Sequence, residues 1–412
     1  MTDSRTLLSR RSIVRIGGLT AASALVLPRV SMAASGDVAP IDRGSVANNA
    51  VKFSPIAAPS EANEEPGQPP LAPKDRVGFA IVALGRLSME EILPAFAQSK
   101  MCKVTALVSG SPEKLKAVGA QYAIPPDSLY SYDDFDRIAQ NENVQVIYIV
   151  LPNSMHKEFT LRAAAAKKHV LCEKPIATSV ADAQAMVAAC ADAKVKLMIA
   201  YRCRYQPHHV ELIKRAQSGA LGPIKMVEAI NAQNQGDINQ WRLKKALSGG
   251  GALPDVGIYC LNAARAVLGE EPTEIEAQMY STPNDPRFRE VEESVTWLMR
   301  FPSGALANLS TSYGIHRASR MAVHLDGGGL VLEKAFPYKG QELHEIKAID
   351  KKETDSIIAV TPQDHFAVEM DHMAECVMKN TMPRTPGEEG VRDSIIADAI
   401  YRAAESRTTV KL

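Results

Sequence analysis

Two short stretches carry side chains whose types could together take a hydride and a proton from a carbinol: Glu173-Lys174-Pro175, and Asp255 with Tyr259 four residues later. Hydride removal needs a base for the hydroxyl proton, and Tyr or Lys can serve when a neighbouring charge favours its ionised or neutral form. A spacing of four puts Asp255 and Tyr259 on one face of a helix. Pro175 keeps Lys174 out of the helical region, because a residue before proline avoids it. Each feature also has a plainer reading: Glu-Lys-Pro is a common solvated turn, and Tyr259 suits a core tyrosine whose hydroxyl rests on Asp255. The elements that carry these residues decide between the readings.

From residue 76 the chain alternates apolar strands with amphipathic helices. Strands are expected over 77–84, 104–109, 144–151, 169–172 and 196–201, and helices over the stretch to 97, 113–122, 156–167 and 180–193. Short apolar strands between such helices predict a parallel sheet covered on both faces. Pro152, Asn153 and Glu173-Lys174-Pro175 then fall at the carboxyl edge of that sheet, where open α/β folds bind ligands. The first strand runs through Ala83-Leu84-Gly85-Arg86-Leu87-Ser88 into a helix, the place where a dinucleotide pyrophosphate would meet a helix N-terminus. Ala83 stands where the first glycine of the usual pattern would be.

After the second strand, where NAD enzymes place an acid on the ribose hydroxyls, the chain reads Val108-Ser109-Gly110-Ser111, followed by Lys114. Two hydroxyls and an ammonium suit the 2′-phosphate of NADP. Lys114 is equally compatible with a solvated helix surface.

Beyond residue 201 the rhythm changes. Stretches 224–232, 273–280, 294–301, 305–313 and 320–326 alternate apolar with polar positions between Gly and Pro turns, and helices are expected at the segment ending at 268, at 366–379 and at 390–406. The expected architecture is an α/β Rossmann domain over 76–201, followed by an α+β domain over 202–412 with a large, mostly antiparallel, open-faced sheet.

The first 34 residues carry Arg10-Arg11, a weakly apolar stretch and a small-residue exit, the order of a twin-arginine signal peptide and too short for a stable membrane anchor. Periplasmic export is the expectation. Residues 35–75, rich in proline, read as an extended arm that either lies on a partner surface or is a spacer. The chain has 412 residues, 46% apolar and 23% charged, with 47 basic side chains against 47 acidic ones. This balance gives no net field for nucleic acid or an anionic membrane, and points to a small-molecule partner. Six scattered cysteines lack metal-site spacing, so no metal is expected and the thiols are expected to be free.

Taken together, the strand-glycine turn, Glu173-Lys174-Pro175 and Asp255-x-Gly257-x-Tyr259 resemble the glucose-fructose oxidoreductase, inositol dehydrogenase and rhizopine catabolism superfamily (Gfo/Idh/MocA). The likeness runs from Val77 to the C-terminus and is greatest to its periplasmic glucose-fructose oxidoreductase branch, through Tyr201-Arg202-Cys203, Gln240-Trp241-Arg242-Leu243 and Pro386-Gly387-Glu388-Glu389-Gly390. The resemblance implies that Lys174 contacts nicotinamide and sugar, Asp255 orients the sugar, and Tyr259 is the acid-base group, where many relatives carry His. It implies NADP lined by Gly85, Arg86, Leu87, Ser109, Gly110, Ser111, Lys114, Tyr132, Leu151, Pro152, Asn153, His156, Glu173, Lys174, Arg202, Trp241 and Arg242. It further implies oxidation of an aldose at C1 to a lactone, reduction of a second sugar, aldose or ketose, by the retained NADPH, and a homodimer or homotetramer. NAD-assisted glycoside hydrolysis and a sugar dehydrogenase with exchangeable NADP are the alternatives.

Overall fold

A computed structural model of the chain describes residues 45–47, 50–52 and 69–412. The expected signal peptide lies outside the described residues, as does most of the arm. Within the arm stretch, Ser45–Ala47 (β1) and Ala50–Lys52 (β2) pair antiparallel as a two-stranded unit of their own. Asn48-Asn49 lie between them in the sequence, residue types that two-residue hairpin turns favour. No strand was expected there, because three-residue strands are too short to show a period.

The remainder, from Gln68 to Leu412, forms one compact unit. Its first sheet is six-stranded, in the order β5-β4-β3-β6-β7-β8, and every pairing is parallel. The strands are Val77–Val82 (β3), Cys102–Val108 (β4), Leu129–Tyr130 (β5), Val146–Ile149 (β6), His169–Glu173 (β7) and Leu197–Ala200 (β8). Both faces are covered, which is why β3 reads as an unbroken apolar run. Phe79 and Ile81 pack into one core, Ala80 and Val82 into the other. Helices Pro112–Gln121 (α1), His156–Ala165 (α2) and Val180–Ala193 (α3) connect the strands. Ser111 and Ser179 cap α1 and α3 by accepting a backbone N–H.

The second sheet has nine strands in the order β16-β15-β14-β13-β9-β12-β11-β10-β17, antiparallel except where Ile224–Asn234 (β9) meets Leu306–Ser312 (β12). The others are Glu274–Tyr280 (β10), Ser294–Arg300 (β11), Gly314–Leu325 (β13), Gly328–Glu333 (β14), Glu342–Ile349 (β15), Lys352–Ile358 (β16) and Val410–Lys411 (β17). Val295, Trp297 and Met299 of β11 are buried in the core, while Thr296, Leu298 and Arg300 face outward, the alternation of a sheet with one open face. Pro207–Gln217 (α4) and Ile258–Leu268 (α5) cover the buried face.

The last two helices, His365–Lys379 (α6) and Gly387–Ser406 (α7), do not belong to the second sheet alone. Phe366, Met370 and Met373 of α6 complete the core that holds Phe79 and Ile81, and α7 packs on α3 as well as β10. All six cysteines are free and buried.

The turn after β3 departs from its expected form. Gly85 was expected to make it tight, but the residue with positive φ is Ala83, at φ 80°. Ala83 is held there by its N–H on Val108 O (2.9 Å) and by the Ser88 hydroxyl donating to its carbonyl (2.7 Å). A Cβ in this region is strained. Ala83→Gly is therefore expected to raise the unfolding free energy by about 1 kcal/mol, read from urea denaturation midpoints at unchanged slope.

Candidate active site

The loops that leave the carboxyl edge of the parallel sheet carry expected site residues: Gly85 after β3, Ser109-Gly110 after β4, Tyr132 after β5 against Gly110, Pro152 after β6, Lys174 after β7 and Arg202 after β8. Lys174 is joined to Pro175 by a cis peptide. Asp255 arrives from the other side, in the π-helical turn Leu253–Gly257 that leads into α5, and Tyr259 follows in the first turn of that helix. The helix can approach β12 this closely because residue 257 is glycine: a Cβ there would lie 2.9 Å from Thr311 Cγ2.

The spacing of four brings Asp255 and Tyr259 together against Lys174. The Lys174 ammonium donates to the Asp255 carbonyl (2.6 Å) and to Asp255 Oδ1 (3.2 Å), and lies 4.6 Å from the centre of the Tyr259 ring. Asp255 Oδ2 accepts from Arg242 Nε (3.0 Å) and from the Tyr313 hydroxyl (2.5 Å). Burial alone would raise the Asp255 carboxyl, but Arg242, Lys174 and the Tyr313 hydrogen bond overturn it and hold the group well below the usual carboxylate range. Burial would likewise lower Lys174, yet Tyr259, Asp255 and Glu173 keep it above its ordinary value. With both oxygens engaged, Asp255 orients Lys174 directly.

Arg202 and His156 each have well-defined protein partners. The buried Arg202 guanidinium reaches Tyr259: Nε donates to Tyr259 Oη (3.2 Å), Nη2 to Phe336 O (2.5 Å), and Cζ sits 4.6 and 4.7 Å from the Tyr259 and Tyr338 ring centres. The Tyr259 hydroxyl is therefore answered by Arg202, while Asp255 takes Tyr313, and the plainer reading of Tyr259 as resting on Asp255 does not hold. His156 is fully buried, with Nδ1 on Pro175 O and Nε2 on Leu151 O, each at 2.9 Å. Burial lowers its proton affinity, and the neutral ring, with one N–H, donates to one of these two carbonyls. Glu173 is also buried, accepting from the Tyr148 hydroxyl (3.0 Å) and Lys174 N (3.2 Å). Asn153 is buried, with its amide on Ser248 O (2.8 Å).

Of the residues expected to line a nucleotide, Gly85, Gly110 and Lys114 are exposed at the carboxyl edge of the sheet. A Cβ on Gly85 would meet nothing within 4 Å, whereas Gly110, though exposed, lies against the Tyr132 ring, which a Cβ there would approach to 3.0 Å. Arg86 is exposed and Leu87 half-buried. The Ser109 hydroxyl accepts from Ser111 N (3.2 Å), Ser111 caps α1, and Lys114 Nζ reaches back to Leu84 O (3.3 Å). Both hydroxyls keep a proton to donate, and the ammonium bridges the first two loops. This donor set fits a phosphorylated ribose at that corner. Leu151 is buried, Pro152 half-buried, and Trp241 stacks under the Arg242 guanidinium at 4.6 Å.

Tyr313 and Tyr338 were not anticipated. Tyr313 continues the inward alternation of Ala307, Leu309 and Thr311, a signal that marks it as buried but not as an aspartate partner. Tyr338 sits between β14 and β15 and carries no pattern of its own.

A parallel sheet of Rossmann order with Lys, Asp and Tyr converging at its carboxyl edge defines a dinucleotide-dependent oxidoreductase site. The chain belongs to the Gfo/Idh/MocA oxidoreductase family: residues 77–201 match the family's NAD-binding Rossmann domain and residues 209–331 its C-terminal domain. It is 30% identical over 347 residues to a D-xylose 1-dehydrogenase (NADP+) of Haloarcula marismortui, covering 82% of this chain and 93% of that one. A second D-xylose 1-dehydrogenase (NADP+), from Haloferax volcanii, is 26% identical over 337 residues, covering 81% and 99%. The crystal structure of an aldose-aldose oxidoreductase from Caulobacter crescentus superposes with a TM-score of 0.79 at 44% identity, over 82% of this chain and all of the other.

Tyr313→Phe removes one donor from Asp255. A hydrogen bond to a charged group contributes about 1.5–3 kcal/mol, so the variant should lose stability of that order at neutral pH. Because the folded Asp255 carboxyl is depressed, the difference from wild type is present above the ordinary carboxylate range and shrinks as pH falls through the folded value. Urea titrations at neutral and acid pH check it.

Proposed function

We propose that this protein is an NADP-dependent sugar oxidoreductase that oxidises an aldose at C1 to a lactone and reduces a second sugar with the same retained nucleotide. The observation that carries the reading is the Tyr259 ring held between two cations, Lys174 and Arg202, with its hydroxyl on Arg202. Positive charge at that hydroxyl stabilises the negative charge present while Oη exchanges a proton with the sugar hydroxyl. Asp255 fixes Lys174 beside it through two contacts, and Arg242 and Tyr313 fix Asp255. When bound, the dinucleotide supplies the hydride acceptor and, once reduced, the donor. Ser109, Ser111 and Lys114 would hold its ribose phosphate, Gly85 and Arg86 its pyrophosphate. The NADP named for both xylose dehydrogenases and the sugar pair named for the 44% identical oxidoreductase support this assignment.

The N-terminal twin-arginine pattern supports export to the periplasm, where retention of the nucleotide replaces an outside supply. A homo-oligomer built on the open sheet face belongs to the same reading. The alternative, a sugar dehydrogenase with exchangeable NADP, is favoured by one feature: strained Ala83 at the turn where the pyrophosphate would lie.

Purified protein incubated with glucose and fructose, without added nucleotide, is expected to form lactone and polyol. A nicotinamide absorbance that survives gel filtration and responds to sugar supports retention, and turnover that appears only with added NADP supports exchange. Lys174→Ala is expected to lower kcat by about 10²–10⁴-fold, in the range of lost general acid-base assistance. Turnover equal to wild type removes Lys174 from the mechanism.

A further inference from the structure

Helix α6 carries two polar side chains that the protein leaves unsatisfied. Glu369 is 0% exposed, and neither carboxyl oxygen has a hydrogen-bond partner. His365, one turn earlier on the same helix face, is also buried; its Nε2 meets Tyr338 O at 3.2 Å and its Nδ1 has no partner. An ionised carboxylate buried without a partner is far costlier than the neutral acid, so Glu369 keeps its proton. Burial first, then the charge of Glu173, push its proton affinity well above the carboxylate range. Burial, with Arg202 adding to it, keeps His365 neutral down to about 3. With its Nε2–H on the Tyr338 carbonyl, His365 presents Nδ1 as an acceptor, and a neutral Glu369 has one O–H to give. The two orphaned groups are complementary in type, although no hydrogen bond joins them.

The groups acting on Glu369 come from several elements. Glu173 ends β7, and Arg202 and Cys203 lie in the turn after β8. Tyr148 of β6 and Tyr205 feel the charge of Glu369 in return, and His365 also faces His209 and Lys339. Arg202 is common to this set and to the Tyr259 hydroxyl. A glutamine or leucine would fill the same space with no proton to lose, so packing gives no reason for an acid here.

We propose that Glu369 is a positioning residue of the hydride-transfer site: held as the neutral acid on the helix that packs against the Arg202 turn, it leaves the charge of Arg202 directed at Tyr259, and its ionisation draws that charge away. The kinetic part rests on the sugar-oxidoreductase reading; the protonation state does not. Because the folded proton affinity is raised, the stability Glu369 contributes is full below the ordinary carboxylate range. It falls as pH rises, by about tenfold in the folding equilibrium per pH unit, until pH passes the folded value.

The test compares wild type with Glu369→Gln in the full-length protein, measuring unfolding free energy and sugar turnover against pH. Glu369→Gln mimics the neutral acid. It is expected to be more stable than wild type at neutral pH and to lack that pH slope. Its neutral-pH kcat should stay within about twofold of wild type, and it should lose the alkaline decline in kcat that ionisation of Glu369 produces. Failure of Glu369→Gln to fold, an unchanged stability slope, a kcat lowered more than about tenfold at neutral pH, or an unchanged alkaline limb each overturns the proposal. If wild type itself turns over no sugar, the oxidoreductase reading fails, and the stability slopes alone still decide whether Glu369 is neutral.

Discussion

The buried contact between Lys174 and Asp255 is the constraint around which the molecule is arranged. A charge removed from water is tolerated only when a partner and further hydrogen bonds meet it. Here the lysine comes from the edge of the parallel sheet and the aspartate from the helix covering the second sheet, 81 residues later. Arg242 and Tyr313 complete the set from two more segments. The pair therefore ties the carboxyl edge of the parallel sheet to the helix that covers the second sheet. Removal of Lys174 leaves Asp255 with Arg242 and Tyr313, so the set shares one carboxylate among three donors.

Around this pair the charges are graded. Lys174, Arg242 and Arg202 are cationic, Asp255 answers two of them, and Arg202 is left to Tyr259 and to the buried acids near it. That asymmetry gives Tyr259 an environment unlike that of Tyr148, Tyr201 or Tyr313, whose hydroxyls burial drives strongly toward the neutral form. Among these tyrosines, only Tyr259 has a guanidinium donating to its oxygen. The nucleotide corner follows the same economy, with short hydroxyls and one ammonium where a carboxylate would repel a phosphate.

The parallel sheet was legible because strands buried on both faces must be apolar throughout, and the helices between them must be amphipathic. Val180–Ala193 ends where its left-handed cap at Lys194 begins, and the pattern alone marked it. The strands at the far edge of the second sheet were not legible, since Lys352–Ile358 is exposed along most of its length and offers no alternation to read. In the site, Lys174, Asp255 and Tyr259 could be found from type and spacing. The partners of Asp255 could not: Tyr313 lies 58 residues away, and only the crossing of helix and sheet brings it within 2.5 Å. The contact of Arg202 with Tyr259 was not legible for the same reason, because the direction of a long side chain is set by packing and not by its neighbours in sequence.

The return of α6 to the first sheet has a consequence for biogenesis. Phe366, Met370 and Met373 supply one apolar cover of β3 and β4, yet they leave the ribosome about 165 residues after the last strand of that sheet. During synthesis the Rossmann half covers this face only in part, with Leu93, Phe96, Leu115 and Val118, and its core stays unfinished until α6 is made. Closure waits for nearly the whole chain. A protein built this way is competent only when complete, so any cellular machinery that must handle it, in whatever compartment, receives either a finished molecule or one that still exposes its centre.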